Sequence, residues 1–389
     1  MSAFLNELGL VCALGEGQPA VREALFAPAP SGVKTTDFFA ADRLLALGRV
    51  EAKPASLEAA AIGYRSRNNG LLSLALAQIR PAVDQAIARH GPTRVGIVLG
   101  TSTSGIGEAE LAIDSLVRRG ALNEGYHYTQ QELGSPARFL AATLGIAGPT
   151  AVISTACSSS AKALASAARW LDAGLVDVVI AGGSDSLCRF TIAGFSALES
   201  VSAQRCNPMS RNRNGINIGE ASALFLVSRD EGAVRLAGWG ETSDAHHLSA
   251  PEPTGKGAAA AMRLALRRAQ LEARDVGYVN LHGTATPQND AMESRAVEQV
   301  LGLEVPGSST KPLTGHTLGA AGALEAALSW LTLTDAQGRL PPHWFDGERD
   351  PALPIIGLVE AGTRGRVRAV LSNSFAFGGS NASLALVKS

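Results

Sequence analysis

Apolar residues along this chain follow two alternating rhythms. Short, mostly unbroken runs (Arg94 to Leu99, Ala151-Val152-Ile153, Val176 to Ile180, Ala223 to Val227 and Gly277 to Leu281) predict strands covered on both faces. Between them, Pro136 to Leu144, the Ala-rich Ala161 to Leu171, and Ala258 to Ala269 predict helices. Strand and helix in alternation point to an α/β body whose buried strands are of the parallel type.

The pattern also repeats. Thr155-Ala156-Cys157 leads into a small-residue helix ending Ala168-Arg169-Trp170-Leu171, and Thr314-Gly315-His316 leads into another ending Leu328-Ser329-Trp330-Leu331. This echo predicts a duplicated unit with its seam between Ser228 and Leu236 and one reactive residue near a helix start in each copy. No linker-like tract interrupts the chain, so the copies are expected to pack as one body.

The repeat sharpens the candidate chemistry. Cys157 falls where the Ala151-Val152-Ile153 strand turns into a helix, and unpaired N–H groups at a helix start predict a thiol pKa lowered toward the thiolate. His282 follows the Gly277 to Leu281 strand, and His316 lies in the Gly/Thr-rich Thr314-Gly315-His316-Thr317 turn after Lys311. Taken singly, Cys157 also fits a buried structural thiol, and each histidine a satisfied core residue. Asp290 and Glu293, just after the His282 segment, read as capping or solvated carboxylates and stay outside the catalytic set.

Composition narrows the classes. The 389 residues carry a net charge of −1 and are 46% hydrophobic, which suits a large globular body of about two or three domains and argues against a nucleic-acid binder. Cys12, Cys157, Cys188 and Cys206 show neither C-x-x-C pairs nor metal-ligand spacing, so no disulfide framework or metal site is expected and a reducing cytoplasm fits. The first residues lack a basic, continuously apolar leader, and no apolar run reaches a membrane-spanning length. The loop Gly100 to Gly107 superficially resembles a dinucleotide-binding turn, but its glycine spacing is wrong.

Four ordered motifs together resemble the β-ketoacyl-acyl-carrier-protein synthases of types I and II. They are Thr155-Ala156-Cys157-Ser158-Ser159; His282-Gly283-Thr284-Ala285-Thr286-Pro287; Ser309-Thr310-Lys311 with Gly315-His316 and Gly319 to Ala323; and Asn373 to Asn381. The resemblance implies a thiolase fold, a duplicated five-layered α/β/α/β/α body with halves at 1–232 and 233–389, and a dimer, either of identical chains or with a related synthase-like chain. It implies an acyl chain carried as a thioester on Cys157, and condensation with malonyl-acyl carrier protein after decarboxylation. His282 and His316 would stabilise the enolate, and the backbone N–H groups of Cys157 and Phe377 would form the oxyanion hole. Lys311 would organise the network with Glu325 as partner. No cofactor is implied beyond the phosphopantetheine of the carrier protein.

The acidic carrier protein would be steered by exposed cations, for which Arg65, Arg67, Arg118, Arg119 and Arg205 are candidates. Met209 and Ile216 stand where the family pattern often has aromatic residues, making them acyl-pocket candidates and pointing to a specialised synthase, of the polyene or another secondary lipid pathway. A thiolase would require a second cysteine toward the C-terminus, which the chain lacks. A chain-length-factor-like subunit, which shapes a partner's pocket, would lack the active cysteine; it stands as the alternative function.

Overall fold

The computed structural model describes residues 3–28, 32–37, 39 and 44–389. Apart from the two-residue strand Gly15–Glu16, which pairs with the first strand, the central sheets contain among the described residues β1 (Ala3–Cys12), β2 (Val95–Gly100), β3 (Thr150–Ile153), β4 (Val178–Asp185), β5 (Ala221–Ser228), β6 (Val234–Ser243), β7 (Tyr278–Asn280), β8 (Gly307–Ser308), β9 (Ala369–Ala376) and β10 (Ser380–Lys388). The main helices are α1 (Arg67–His90), α2 (Ile106–Arg119), α3 (Ser135–Leu144), α4 (Ser159–Asp172), α5 (Arg189–Ala197), α6 (Lys256–Ala269), α7 (Pro287–Leu301) and α8 (Ala321–Leu333).

The strand order shows the duplication. The first five strands lie in the order β1-β5-β4-β2-β3, and the last five in the order β6-β10-β9-β7-β8, so the same arrangement occurs twice. Directions repeat as well: in each set the last strand is antiparallel to both neighbours, and the second strand is parallel to both of its own. A short antiparallel contact, Ala3 to Leu236 and Phe4 to Arg235, joins the sheets. The sheets are therefore mixed, not purely of the parallel type, because the last strand of each repeat returns against its neighbours.

Burial explains the layering. Helix α8 is apolar nearly all round, and α4 packs its Ala/Leu face against it between the two sheets, in one core with residues of both. Helices α1 and α3 cover the outer face of the first sheet, and α6 and α7 that of the second. Five layers result, α/β/α/β/α: the thiolase fold. Gly322 permits the central contact, since a Cβ there would come within 2.6 Å of Ala161 N.

One expected strand differs in its surroundings. Ala151-Val152-Ile153 is only half-buried, because β3 lies at the end of the first sheet with one edge unpaired in the single chain. Among the described residues, no helix is long and apolar enough to cross a membrane.

Candidate active site

Cys157 sits in a tight turn between β3 and α4. Ala156 adopts φ +52°, a left-handed conformation that costs energy for a residue with a side chain. Local hydrogen bonds hold it: Thr155 N–H donates to Ser159 Oγ at 2.8 Å, and the Ser159 hydroxyl donates to the Ala156 carbonyl at 2.5 Å. The turn directs the buried thiol into a cavity of about 150 Å³ whose apolar wall includes Phe195, Leu198, Ile216, Phe375 and Phe377.

The second repeat brings two histidines to that thiol. His316 Nε2 lies 2.9 Å from Cys157 Sγ, and donor atoms of Cys157, His282 and His316 all fall within 4.8 Å of one another. The imidazoles are nearly perpendicular, with centroids 5.4 Å apart. These donors are close enough to hold a metal ion, but the 2.9 Å separation is that of a hydrogen bond, and Lys311 presses its ammonium against the same cluster.

Lys311 is almost fully buried. Its Nζ donates to Glu325 and to the His282 carbonyl, and lies 3.3 Å from His282 Nδ1. Since an ammonium only donates, it fixes Nδ1 as acceptor and leaves the proton of neutral His282 on Nε2, facing the cavity. Burial and then the Lys311 charge hold both imidazoles well below the usual histidine range, so they are neutral. Among the described residues His316 Nδ1 has no partner, which leaves either tautomer open to this ring. Burial, opposed by Lys311, raises the Glu325 carboxyl to about 7.

The Cys157 thiol departs from the sequence expectation. Burial pushes it up to about 12, outweighing the Lys311 charge and the backbone N–H groups of Phe377 and Cys157 that favour the anion. The resting group is therefore a thiol held against His316, the nearest base able to take its proton.

Asp290 and Glu293 are neither solvated nor simple caps; both are completely buried on α7. Glu293 accepts from the N–H groups of His282 and Gly283, each at 2.7 Å, while Asp290 accepts from Ala285 N–H at 3.1 Å and Met209 N–H at 2.8 Å. Together they clamp the His282 loop, where Ala285 is held at φ +65°. A signal was present in the sequence: the two carboxylates share the helix face that carries Ala296 and Val297. Asp185 plays a similar part elsewhere, accepting from Thr101, Ser102, Thr103 and Gly319, so the dinucleotide-like loop is folded around a buried carboxylate.

The remaining candidates divide. Ile216 lines the cavity, whereas Met209 is buried in the core of the second repeat, with its N–H committed to Asp290. Arg67 is turned inward as the ion-pair partner of fully buried Glu220, and Arg205 is half-buried with its guanidinium 5.1 Å from the Trp344 ring centroid and bonded to the Pro312 carbonyl. These two cations already serve the fold and are not free docking points. Arg65, Arg118 and Arg119 are exposed, Arg65 on the carbonyls of Ala60 and Glu58, and Arg118 paired with Asp114. Phe377 is half-buried and packs its ring 5.7 Å from that of Phe195.

Comparison with known proteins agrees with this geometry. Residues 71–233 match the family model described as beta-ketoacyl synthase, N-terminal domain, and 233–344 that described as beta-ketoacyl synthase, C-terminal domain. The 3-oxoacyl-[acyl-carrier-protein] synthase 2 of Vibrio harveyi is 31% identical over 78% of this chain and 77% of its own length. Among solved structures, a chain of the ketosynthase ApeO in complex with its chain length factor ApeC, from Xenorhabdus doucetiae, is 45% identical, with a TM-score of 0.96 over 100% of this chain and 98% of that one. A beta-ketoacyl synthase from Burkholderia phymatum is 27% identical, with a TM-score of 0.88 over 100% and 99%.

Proposed function

The chain belongs to the β-ketoacyl synthase family, and on that premise we propose that it condenses an acyl group held on Cys157 with a malonyl-acyl carrier protein thioester. The observation that carries this reading is the 2.9 Å contact of Cys157 Sγ with His316 Nε2, beside a His282 whose tautomer Lys311 fixes.

In the loading step the Cys157 proton passes to His316 and the sulfur attacks the acyl thioester carbonyl. The oxyanion is received by the N–H groups of Cys157 and Phe377; the phosphopantetheine thiol then leaves and takes the proton back. Malonyl-acyl carrier protein enters next and loses carbon dioxide. Its thioester oxygen, now enolate, accepts from His282 Nε2–H and from His316 in its other tautomer. The enolate carbon attacks the acyl-Cys157 carbonyl, the C–S bond breaks, and the released Cys157 thiolate takes a proton from solvent. The products are β-ketoacyl-acyl carrier protein, carbon dioxide and a free enzyme, with no cofactor beyond the carrier's phosphopantetheine.

Two further features refine the reading. A cavity of about 150 Å³ with one apolar wall is of the size that takes up benzene, so this pocket holds a short acyl unit; longer chains require Ile216 or Phe377 to move. The unpaired, half-apolar edge of β3 supports assembly with a second synthase-like chain, in which Cys157, His282 and His316 give this chain the catalytic place rather than that of a chain-length-factor-like subunit. We take 1–232 and 233–389 as its halves, a specialised polyene-type pathway as its setting and Arg65, Arg118 and Arg119 as the remaining carrier-docking cations.

Intact-protein mass spectrometry after incubation with a set of acyl carrier protein thioesters tests the assignment. Acyl mass is expected on wild type and absent from Cys157→Ala. Folded wild type that loads from none of the carriers, alone or with its partner chain, rejects it.

A further inference from the structure

The two N–H groups proposed to receive the oxyanion come from different segments, Cys157 from the β3–α4 turn and Phe377 from the loop between β9 and β10. Their separation is fixed only if the segments are tied together. The side-chain hydrogen bonds that join them meet on Ser380: Ser158 Oγ lies 3.0 Å from Ser380 Oγ, and Lys162 Nζ donates to Ser380 Oγ at 2.6 Å.

Both serines belong to this bridge. Ser380 Oγ accepts from Ser158 and from Lys162, which can only donate. Ser158 Oγ also lies 2.8 Å from the Thr155 carbonyl and 3.0 Å from Thr155 Oγ1. A continuous hydrogen-bonded bridge therefore runs from Lys162 through Ser380 and Ser158 to the turn that carries Cys157.

Lys162 is unusual for a cation so placed. It is half-buried on α4, and among the described residues no carboxylate comes within ion-pair distance of its Nζ. Burial, and then the charge of Arg169, draw its pKa down. An ammonium kept under such conditions, with its short bond spent on one serine, has that bond as its evident use.

We propose that Lys162, acting through Ser380, is a positioning residue that sets the spacing of the Cys157 and Phe377 oxyanion donors. The inference rests on the condensing reading above. Loss of the ammonium leaves Ser380 free to turn, the Phe377 loop loosens, and acyl transfer slows while substrate binding is spared.

The test compares two reactions of Cys157 in the full chain: acylation, which needs the oxyanion donors, and alkylation by iodoacetamide, which does not. Straight-chain acyl carrier protein thioesters of two to eight carbons are screened, and the one that loads wild type fastest is used. Lys162→Met is expected to lower the maximal acylation rate about tenfold, an effect of the size of one hydrogen-bonding group, with unchanged KM for the carrier and unchanged alkylation. Lys162→Arg should restore most of the rate. Ser380→Ala should match Lys162→Met, and the double variant should be no worse than either. Equal acylation by Lys162→Met and wild type, or a parallel fall in acylation and alkylation, overturns the inference. Wild type that loads from no carrier removes the condensing reading itself, a separately recognisable result.

Discussion

Each reactive group in this site owes its state to a neighbour. A thiol raised to about 12 by burial predicts that iodoacetamide modification of Cys157 accelerates about tenfold per pH unit from 7 to 10, without a plateau; a plateau near neutrality would show a thiolate already formed. Lys311→Met should leave Cys157 loading nearly intact but lower malonyl decarboxylation by about 10²-fold, since it frees His282 to present the wrong nitrogen. Decarboxylation followed by carbon dioxide release, alongside acyl loading, separates the two steps. The residues proposed to perform the chemistry were legible because their motifs are local: a cysteine after a strand, and histidines in Gly/Thr-rich turns. Asp290, Glu293, Arg67 and Arg205 were misread because a charged side chain reveals nothing of its burial until its distant partner is known. Met209 misled similarly, its N–H being claimed by Asp290 across 81 positions.

At the scale of elements, the site is held by helices that present carboxylates to loops. Helix α7 is the clearest case, with Glu293 gripping two consecutive N–H groups of the His282 loop. Burial raises this carboxyl from 4.5 to about 7, so its stabilising contribution is complete below about pH 4.5 and is lost as pH rises through about 7. Glu293→Gln should therefore flatten the fall in Tm between those pH values, while lowering Tm overall through the lost acceptor, and thermal melts across that range decide it. The Ala-rich α4 and α8 were legible as helices, but their contact was not, since it depends on Gly322 lying against Ala161. Gly322→Val, which drives a branched side chain into that contact, should cost several kcal/mol and abolish folding or lower Tm sharply.

The whole molecule is two copies of one topology, and the sequence disclosed this through the Trp170 and Trp330 echo rather than through its strands. Mixed strand direction was hidden because the last strand of each repeat, β5 or β10, is about as apolar as the strands it pairs with. The half-exposed edge of β3 was hidden too, because a strand that awaits a partner carries the same Ala-Val-Ile composition as a buried one. Val152→Lys places a charge on that edge and should shift the protein toward monomer in analytical ultracentrifugation; an unchanged association state would place the interface elsewhere.

The division of the site between repeats separates its failures as well. The first repeat holds the sulfur proposed to capture an acyl group, and the second holds the two imidazoles proposed to use it. A lesion in the second repeat that spares the fold, such as His282→Ala, would turn a catalyst into a stoichiometric trap: one acyl group taken from the carrier, never released.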